Sequence, residues 1–509
     1  MGGVYRNAKS RLKKDPSILM QKTCQPGTSV ETAGIYATQL PRLEAYHNID
    51  KAHILSIYKA GYLSLEDAKK MLRVFREIEK EGKVIETRLH TSEPALLHTG
   101  EAILTEKLGK EVGGKIHLGR SSGDLNAGSY TMTLRGKLIA VMEAVQELRR
   151  VILKLVKTHA HTIMASYTHM QQAQPTTLGH YYSFWASTLE RDFERLLQFY
   201  KRLNTSVAGA AIIVGSEFNL DREYEARLLG FDSVRVNTYD AIWGRDINIE
   251  SYASILPLSS DIGRICQDLE IWTSAEFGYA QVDDSHAGTS SIMPQKKNPF
   301  GPEFVKGNVA VISGALMASV MTWKDYSTGA IMEWIRTDED TWRIYDELYN
   351  VILLTAEIED KVTFFEDEMK SKCNMMWTTA ADLAGKMVTQ MGLSWRTAHQ
   401  ITAIAMRIAM EKDISPEMMT EDIIEEASVE YYGKPLKMPM EWIKEALDPV
   451  NSVKAHNMLG GPAPDRVLKD LEKLVQNYME HGDALNIIKE KLEKGATFME
   501  AEIDRILEA

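Results

Sequence analysis

Proline is scarce in this chain, and its placement constrains the fold more than any other feature. The 509 residues include 15 prolines, and none lies between Pro94 and Pro175, between Pro175 and Pro257, or between Pro302 and Pro416. Because a proline inside a helix costs ~3 kcal/mol, long stretches without it permit very long helices. We therefore expect an all-α protein with long helices rather than an all-β one.

A regular apolar pattern between residues 132 and 157 indicates how such helices pack. Seven apolar residues recur at alternating steps of four and three, namely Leu134, Leu138, Val141, Val145, Leu148, Ile152 and Leu155. This 3.5-residue period is typical of helices that cross at a shallow angle. A coiled coil without chemistry would show the same period. Because residues 182–204, 248–278, 303–323 and 338–366 also have helical patterns, we expect one bundle.

The sequence pattern changes towards the C-terminal end. Residues 378–412 carry two short helix patterns, and residues 415–465 contain six of the prolines. We therefore divide the chain into a basic arm (1–25), an N-terminal helical domain (26–124), a central long-helix domain (125–377) and a C-terminal helical domain (378–509). Three domains agree with a usual size of roughly 100–200 residues each.

The charge balance excludes one class of partner. Acidic residues number 71 and basic residues 59, which gives a net charge of −12. Because binding to nucleic acid needs a basic field, we expect no nucleic acid partner. A small anion could still bind in a locally basic pocket.

No segment predicts a membrane anchor, a secretory signal or a metal site. No stretch approaches the ~20 apolar residues of a membrane-spanning helix, and the first residues are basic without an apolar run. Cys24, Cys266 and Cys373 are scattered and lack the spacing of zinc ligands. We expect a cytoplasmic protein with inert thiols, no metal and no cofactor.

One polar loop stands out from the helical background. Ser290 and Ser291 precede Lys296, Lys297 and Asn298 within ten residues. Hydroxyl, ammonium and amide groups on one mobile loop can bind an anion and close over it. A solvated surface turn with a serine cap would have the same composition, so the residues alone leave both interpretations open.

Two further polar segments could contribute to a site. Thr168 and His169 lie in the block 167–175, and the glycine-punctuated turn 117–124 precedes the long helix. A lone histidine beside a threonine is more often structural than catalytic. Three polar loops on a helical scaffold nevertheless predict a site assembled from distant segments.

Four ordered motifs carry a resemblance to a known family. They are YTHMQQAQPTTLGH (167–180), GFDSVRVNTYDAIWGRD (230–246), SSIMPQKKNP (290–299) and LDPVNSVKAHNMLGGPAP (447–464). Together they resemble the fumarase/aspartase superfamily, and most closely its argininosuccinate lyase branch. The resemblance runs from about residue 30 to about residue 475.

The resemblance implies an elimination reaction. Superfamily members remove an amine, ammonia or water from a succinyl group and release fumarate, without a cofactor. By this likeness Ser290 is the general base, acting as an alkoxide that Lys296 and backbone amides stabilise. Lys296 and Asn298 would also hold the substrate carboxylate and the charge that develops on it, with Gln295 as a further contact. Thr168 would line the fumarate pocket.

The resemblance also implies a polar dyad and a shared site. Glu303 occupies the family position that pairs with His169, for leaving-group protonation or for orientation. Arg245 could anchor a carboxylate, or it could form a structural ion pair with Asp240 or Asp246. Superfamily members are homotetramers whose long central helices form a common bundle. Each of their active sites takes loops from three subunits around a small dicarboxylate.

The chain departs from the branch on the arginine side of the site. The branch pattern GRSRND is replaced by Gly119–Asp124, in which Ser122 and Gly123 stand where the family has Arg and Asn. Arg120, Ser121 and Ser122 would still line the substrate. The stretch 326–334 lacks the branch's YNKDxQ-like segment, and Thr289 replaces the glycine before the paired serines.

Three hypotheses therefore remain. The first is cleavage of argininosuccinate to arginine and fumarate. The second is a sister carbon–nitrogen lyase acting on another N-substituted aspartate, of the ethylenediamine-disuccinate lyase type. The third is a non-catalytic structural protein with the same fold. Retention of Ser290, Lys296, Asn298, His169 and Glu303 together argues against the third.

Overall fold

The structure is a computed structural model that describes residues 39–91, 96–324, 332–373 and 375–509, without the side chains of 332–339. The basic arm (1–25) lies outside the described residues. So do residues 326–331 of the stretch that lacks the branch's YNKDxQ-like segment. The helices are α1 (Leu43–Lys59), α2 (Leu65–Lys80), α3 (Val84–Leu89), α4 (Thr99–Leu108), α5 (Lys110–Gly113), α6 (Ser122–Thr158), α7 (Leu178–Leu203), α8 (Arg222–Leu228), α9 (Thr238–Trp243), α10 (Asp246–Trp272), α11 (Phe300–Trp323), α12 (Met332–Lys361), α13 (Glu366–Cys373), α14 (Ala380–Met391), α15 (Trp395–Glu411), α16 (Glu421–Tyr432), α17 (Met440–Leu447), α18 (Pro449–Ala455) and α19 (Pro464–Glu508). The expected all-α class is confirmed.

The strands of the described residues form four two-stranded sheets. They are β1 (Ile163–Thr168), β2 (Gln171–Thr177), β3 (Thr205–Ser206), β4 (Ser233–Val234), β5 (Ala280–Gln281), β6 (Gly288–Thr289), β7 (Lys297–Asn298) and β8 (Thr363–Phe364). The antiparallel pairs β1–β2 and β6–β7 are hairpins that hold two of the polar motifs. The pairs β3–β4 and β5–β8 join distant parts of the chain.

The long helix α6 is the centre of the bundle. It has 37 residues, and all seven members of the 3.5-residue pattern are buried in it. They share one apolar core with α7, α10 and α12, through residues such as Leu189, Ile262 and Leu348. The pattern is therefore the inner face of a bundle, as expected.

A capping box fixes the beginning of α6. The side chain of Ser121 accepts a hydrogen bond from the backbone N–H of Gly123 at 3.3 Å. In return, the backbone N–H of Ser121 donates to Oδ1 of Asp124 at 2.8 Å. Such reciprocal bonds satisfy the first free donors of a helix. The turn 117–124 thus leads into the central bundle helix.

The last helix, α19, connects two apolar cores. Near its beginning, Val467 and Leu471 pack in the bundle core. Near its end, Met499 and Ile503 pack with α1 and α2 in the N-terminal core. A third core lies within α14 to α17 and includes no residue of α19. The proposed division at about residues 125 and 377 stays a prediction, and α19 contributes to both earlier parts.

Helix α11 leaves much of its apolar surface uncovered. Within the described residues it is long and apolar enough to cross a membrane by length and composition, with a mean hydropathy of 1.5 and 17% of that stretch buried. Phe304, Met317 and Met321 are each more than half exposed. An apolar surface of this kind marks a place where another molecule packs.

Candidate active site

The polar loop that carries Ser290 and Lys296, called the signature loop below, connects β6 and β7. Gly288 pairs with Asn298 and Thr289 with Lys297, so residues 290–296 form the loop of a hairpin. Within it, Oγ of Ser290 accepts hydrogen bonds from the backbone N–H of Met293 at 3.0 Å and of Ile292 at 3.3 Å. Donors aimed at an oxygen stabilise its negatively charged form. The same two bonds are those of a serine-capped turn, so the role of Ser290 as the base stays a prediction.

The two lysines of this loop have different surroundings. Nζ of Lys297 forms an ion pair with Oδ1 of Asp284 at 2.6 Å. Lys296 is exposed, and among the described residues no carboxylate lies within ion-pair distance of it. The two lysines therefore differ in that Lys297 is paired with the exposed carboxylate of Asp284, and Lys296 has no such partner among the described residues. Gln295 is exposed beside Lys296, and Asn298 is half-buried at the base of the hairpin.

The Thr-His motif forms the tip of the β1–β2 hairpin. Thr168 ends β1, and His169 and Met170 make the turn with positive φ angles of 55° and 59°. Tight hairpins prefer such a turn, but side chains other than Gly, Asn and Asp are strained in it. Both turn side chains are exposed. The hairpin thus presents His169 outward at a conformational cost.

A cleft of about 740 Å³ lies against this hairpin. His169, Phe184 and Trp272 line it, together with His456 and Pro462 from the C-terminal motif. The sequence motif 447–464 had suggested no individual site residue. The only signal for it was the resemblance itself, because its contact with the hairpin depends on the tertiary fold.

One chain does not bring the expected dyad together. Glu303 is exposed in the first turn of α11 and borders an open groove with Phe300 and Phe304. His169 lines the separate cleft described above. Among the described residues, no hydrogen bond or ion pair joins His169 to Glu303.

The glycine-punctuated turn 117–124 is buried more deeply than expected. Nη1 of Arg120 donates to Oδ1 of Asp50 at 2.7 Å, and Nη2 of Arg88 reaches Oδ2 of Asp50 at 2.6 Å. Burial alone would raise the pKa of Asp50, but the two guanidinium charges hold that pKa below its ordinary value. Arg120 is therefore part of a structural ion-pair cluster. At the surface of the same motif, Oγ of Ser122 lies 2.8 Å from Nε2 of His98.

Comparison with known proteins identifies the family. Residues 38–314 match a family model described as "Lyase", and residues 377–454 match one described as "Argininosuccinate lyase C-terminal". The argininosuccinate lyase of Methanococcoides burtonii is 34% identical over 443 residues, which cover 85% of this chain and 86% of that protein. Argininosuccinate lyase 1 of Shouchella clausii is 31% identical, with coverage of 87% and 89%.

The chain belongs to the argininosuccinate lyase family.

Solved structures agree with this assignment. EDDS lyase in complex with formate superposes with a TM-score of 0.84 at 25% identity, covering 95% of this chain and 97% of that one. A class II fumarase from Schistosoma mansoni has a TM-score of 0.68 at 14% identity, with 82% and 92% covered, and shares the fold. The expected fumarase/aspartase fold is thus confirmed, and the chain is a fumarate-forming carbon–nitrogen lyase.

Arg245 and Ser121 are the two further residues expected to contact the substrate. Arg245 is half-buried at the residue before α10, and its role as a carboxylate anchor or structural residue remains a prediction. Ser121 uses its hydroxyl as the cap of α6, which restricts how it can contact a substrate. The roles of the other site residues likewise remain predictions.

Proposed function

We propose that this lyase cleaves argininosuccinate, or a close N-substituted aspartate, into fumarate and an amine. The observation that carries the proposal is the pair of backbone N–H donors on Oγ of Ser290, six residues before Lys296, whose ammonium has no carboxylate partner among the described residues. A serine acts as a base only after its hydroxyl has lost its proton, and an unassisted serine hydroxyl is too weak an acid for that at neutral pH. The two N–H donors would make this ionisation easier.

The reaction begins with proton removal from the substrate carbon next to a carboxylate. The Ser290 alkoxide accepts this proton, and the electron pair spreads into the carboxylate as a doubly charged form. Lys296 and Asn298 stabilise that charge, with Gln295 as a further donor. The C–N bond then breaks, the double bond of fumarate forms, and the nitrogen takes up a proton. Thr168 holds the fumarate half.

We propose a homotetramer with shared sites in the cytoplasm. The exposed apolar face of α11 would be covered by the same helix of neighbouring subunits. Because one chain keeps His169 and Glu303 apart, neighbouring subunits would complete the dyad. Cys266 and Cys373 are buried free thiols, which suits a reducing compartment.

The leaving amine is the least constrained part of the substrate. Ser122 and Gly123 stand where the family has arginine-binding residues, and Ser122 is engaged with His98. The likeness to EDDS lyase supports a second candidate, an ethylenediamine-disuccinate type of substrate.

A reverse-reaction screen tests the function. Purified protein is incubated with fumarate and single amines, including arginine and ethylenediamine, and N-succinyl adducts are detected by mass. Adducts with arginine support the first substrate, and adducts with diamines alone support the second. We expect Ser290→Ala to abolish adduct formation and Ser291→Ala to preserve most of it. Equal activity of both variants would contradict the role of Ser290.

Mixing two inactive variants tests whether sites are shared. Ser290→Ala and His169→Asn are each purified, mixed, unfolded in mild denaturant and refolded together. If each site takes these residues from different subunits, hybrid tetramers regain up to about one quarter of wild-type activity. No recovery, despite tetramers of both variants by light scattering, would contradict shared sites.

A further inference from the structure

Three side chains of types that can bind a metal meet at the turn 117–124. His98, Glu101 and His117 each offer one ligand atom, and these atoms all lie within 4.8 Å of one another. Nδ1 of His117 is 3.0 Å from Oε2 of Glu101. His98 is buried, whereas the other two are half-buried, so solvent reaches one side of the cluster. None of the three belongs to the reaction described above.

Backbone geometry explains why these residues meet. His98 precedes α4 and Glu101 lies in its first turn, so the two project from neighbouring positions on one helix face. Gly113 packs against Leu104 of α4, and the turn Gly114–His117 that follows brings His117 to Glu101. A Cβ on Gly113 would lie 2.4 Å from the carbonyl carbon of Leu104, so only glycine permits this approach.

Two imidazoles and one carboxylate are a metal-binding set with nitrogen and oxygen donors. Zinc binds such ligands in a tetrahedron, at about 2.0–2.2 Å, and often keeps water in the fourth position. Ligand atoms of that tetrahedron are about 3.3 Å apart, so closing the cluster requires only a small movement. Of the three side chains, that of His117 is the most exposed, at 33%, so the movement would fall to it.

We propose that His98, Glu101 and His117 form a binding site for a divalent transition metal, with zinc as the preferred ion. The sequence had predicted no metal, because its cysteines lack the spacing of zinc ligands. The two histidines are nineteen positions apart, and only the fold joins them. Because Oγ of Ser122 lies 2.8 Å from His98, the ion would stiffen the start of α6. It would also place positive charge near the position where the family has arginine.

Metal titration of the full-length protein tests the site. Protein freed of metal by chelation is titrated with Co²⁺, followed by its visible absorption, and with Zn²⁺, followed by calorimetry. We expect one ion per chain and a visible spectrum typical of nitrogen and oxygen ligands. Glu101→Gln and His117→Asn should each weaken binding at least ~10-fold, while His161→Asn, at an exposed histidine away from the cluster, should not.

A second readout separates lost binding from lost folding. Zn²⁺ should raise the melting temperature of the wild type and of His161→Asn but not of Glu101→Gln. If all variants are folded by circular dichroism and bind Zn²⁺ equally, or if the wild type binds none, the proposal is overturned. Both outcomes are independent of the reaction, because neither measurement uses substrate.

Discussion

A methyl group on Gly288 would lie 2.1 Å from the phenyl ring of Phe300. Gly288 begins β6 and Phe300 begins α11, so this contact closes the base of the signature loop. It gives a physical reason why the glycine lies at 288, one place earlier than the family motif has it. The base of the loop therefore depends on the absence of a side chain.

Replacing this glycine should disturb the loop. We expect Gly288→Ala to lower kcat at least ~10-fold, because the ring of Phe300 must move and Ser290 moves with the strand. Melting temperature should change little, since the half-exposed ring can turn outward. The double variant Gly288→Ala/Phe300→Ala should regain activity. Gly385→Ala, in α14, which meets no atom within 4 Å, is the matched control.

The two neighbouring lysines should differ in their effect on rate. Lys296→Met should lower kcat at least ~100-fold, because it removes the unpaired cation from the loop. Lys297→Met should cost less than ~5-fold, since its charge is already paired with Asp284. Steady-state kinetics of both variants checks this. An equal loss in both would show that the ion pair with Asp284 does not persist during the reaction.

Buried Glu359 makes the stability depend on pH. Burial raises the pKa of Glu359 to about 7, while the hydroxyl of Tyr182 donates to its carboxylate at 2.6 Å. A raised pKa in the folded state means that the protonated carboxyl favours folding. This contribution is present below the unfolded-state pKa of about 4.3 and is lost as the pH rises towards 7.

Glu359→Gln tests this pH dependence. Glutamine keeps an acceptor for Tyr182 but carries no charge, so the variant should gain stability relative to the wild type at pH 8 and not at pH 5. Urea unfolding at both pH values measures the difference. A stability difference that is the same at pH 5 and pH 8 would exclude Glu359 as the titrating group.

The end of α19 should support the N-terminal core. Ile503 is buried there among residues of α1 and α2, so Ile503→Ala should cost about 2–4 kcal/mol of unfolding free energy. Hydrogen exchange should show faster opening of α1 and α2 and little change in α14 to α17. Val475→Ala, at a partly exposed position of the same helix, is the control. Uniform loss of protection would instead indicate a single cooperative unit.

Local sequence patterns were enough for parts of this structure. The seven apolar residues form the buried face of α6, because a 3.5-residue period places them all on one side of a helix. Scarce proline predicted long helices, although α10 continues through Pro257. Packing on both sides of that helix outweighs one lost backbone bond, and a single-residue rule does not include such packing.

Contacts between distant segments were not predictable. The pairing of His117 with Glu101 depends on a turn that only the glycine at 113 allows. The burial of Arg120 against Asp50 joins residues seventy positions apart. Neither relationship has a periodic signal in the sequence.

The span of α19 also bears on how the chain is made. Its 45 residues extend about 68 Å, and its final turns pack in the core that contains α1 and α2, far earlier in the chain. Lys51 is held by Glu500 at 2.7 Å, and Arg76 by Asp504 at 2.7 Å. During translation, α1 and α2 therefore keep an apolar face uncovered until Glu500, 449 residues after Lys51, has been synthesised. Chaperones would protect that face during the interval.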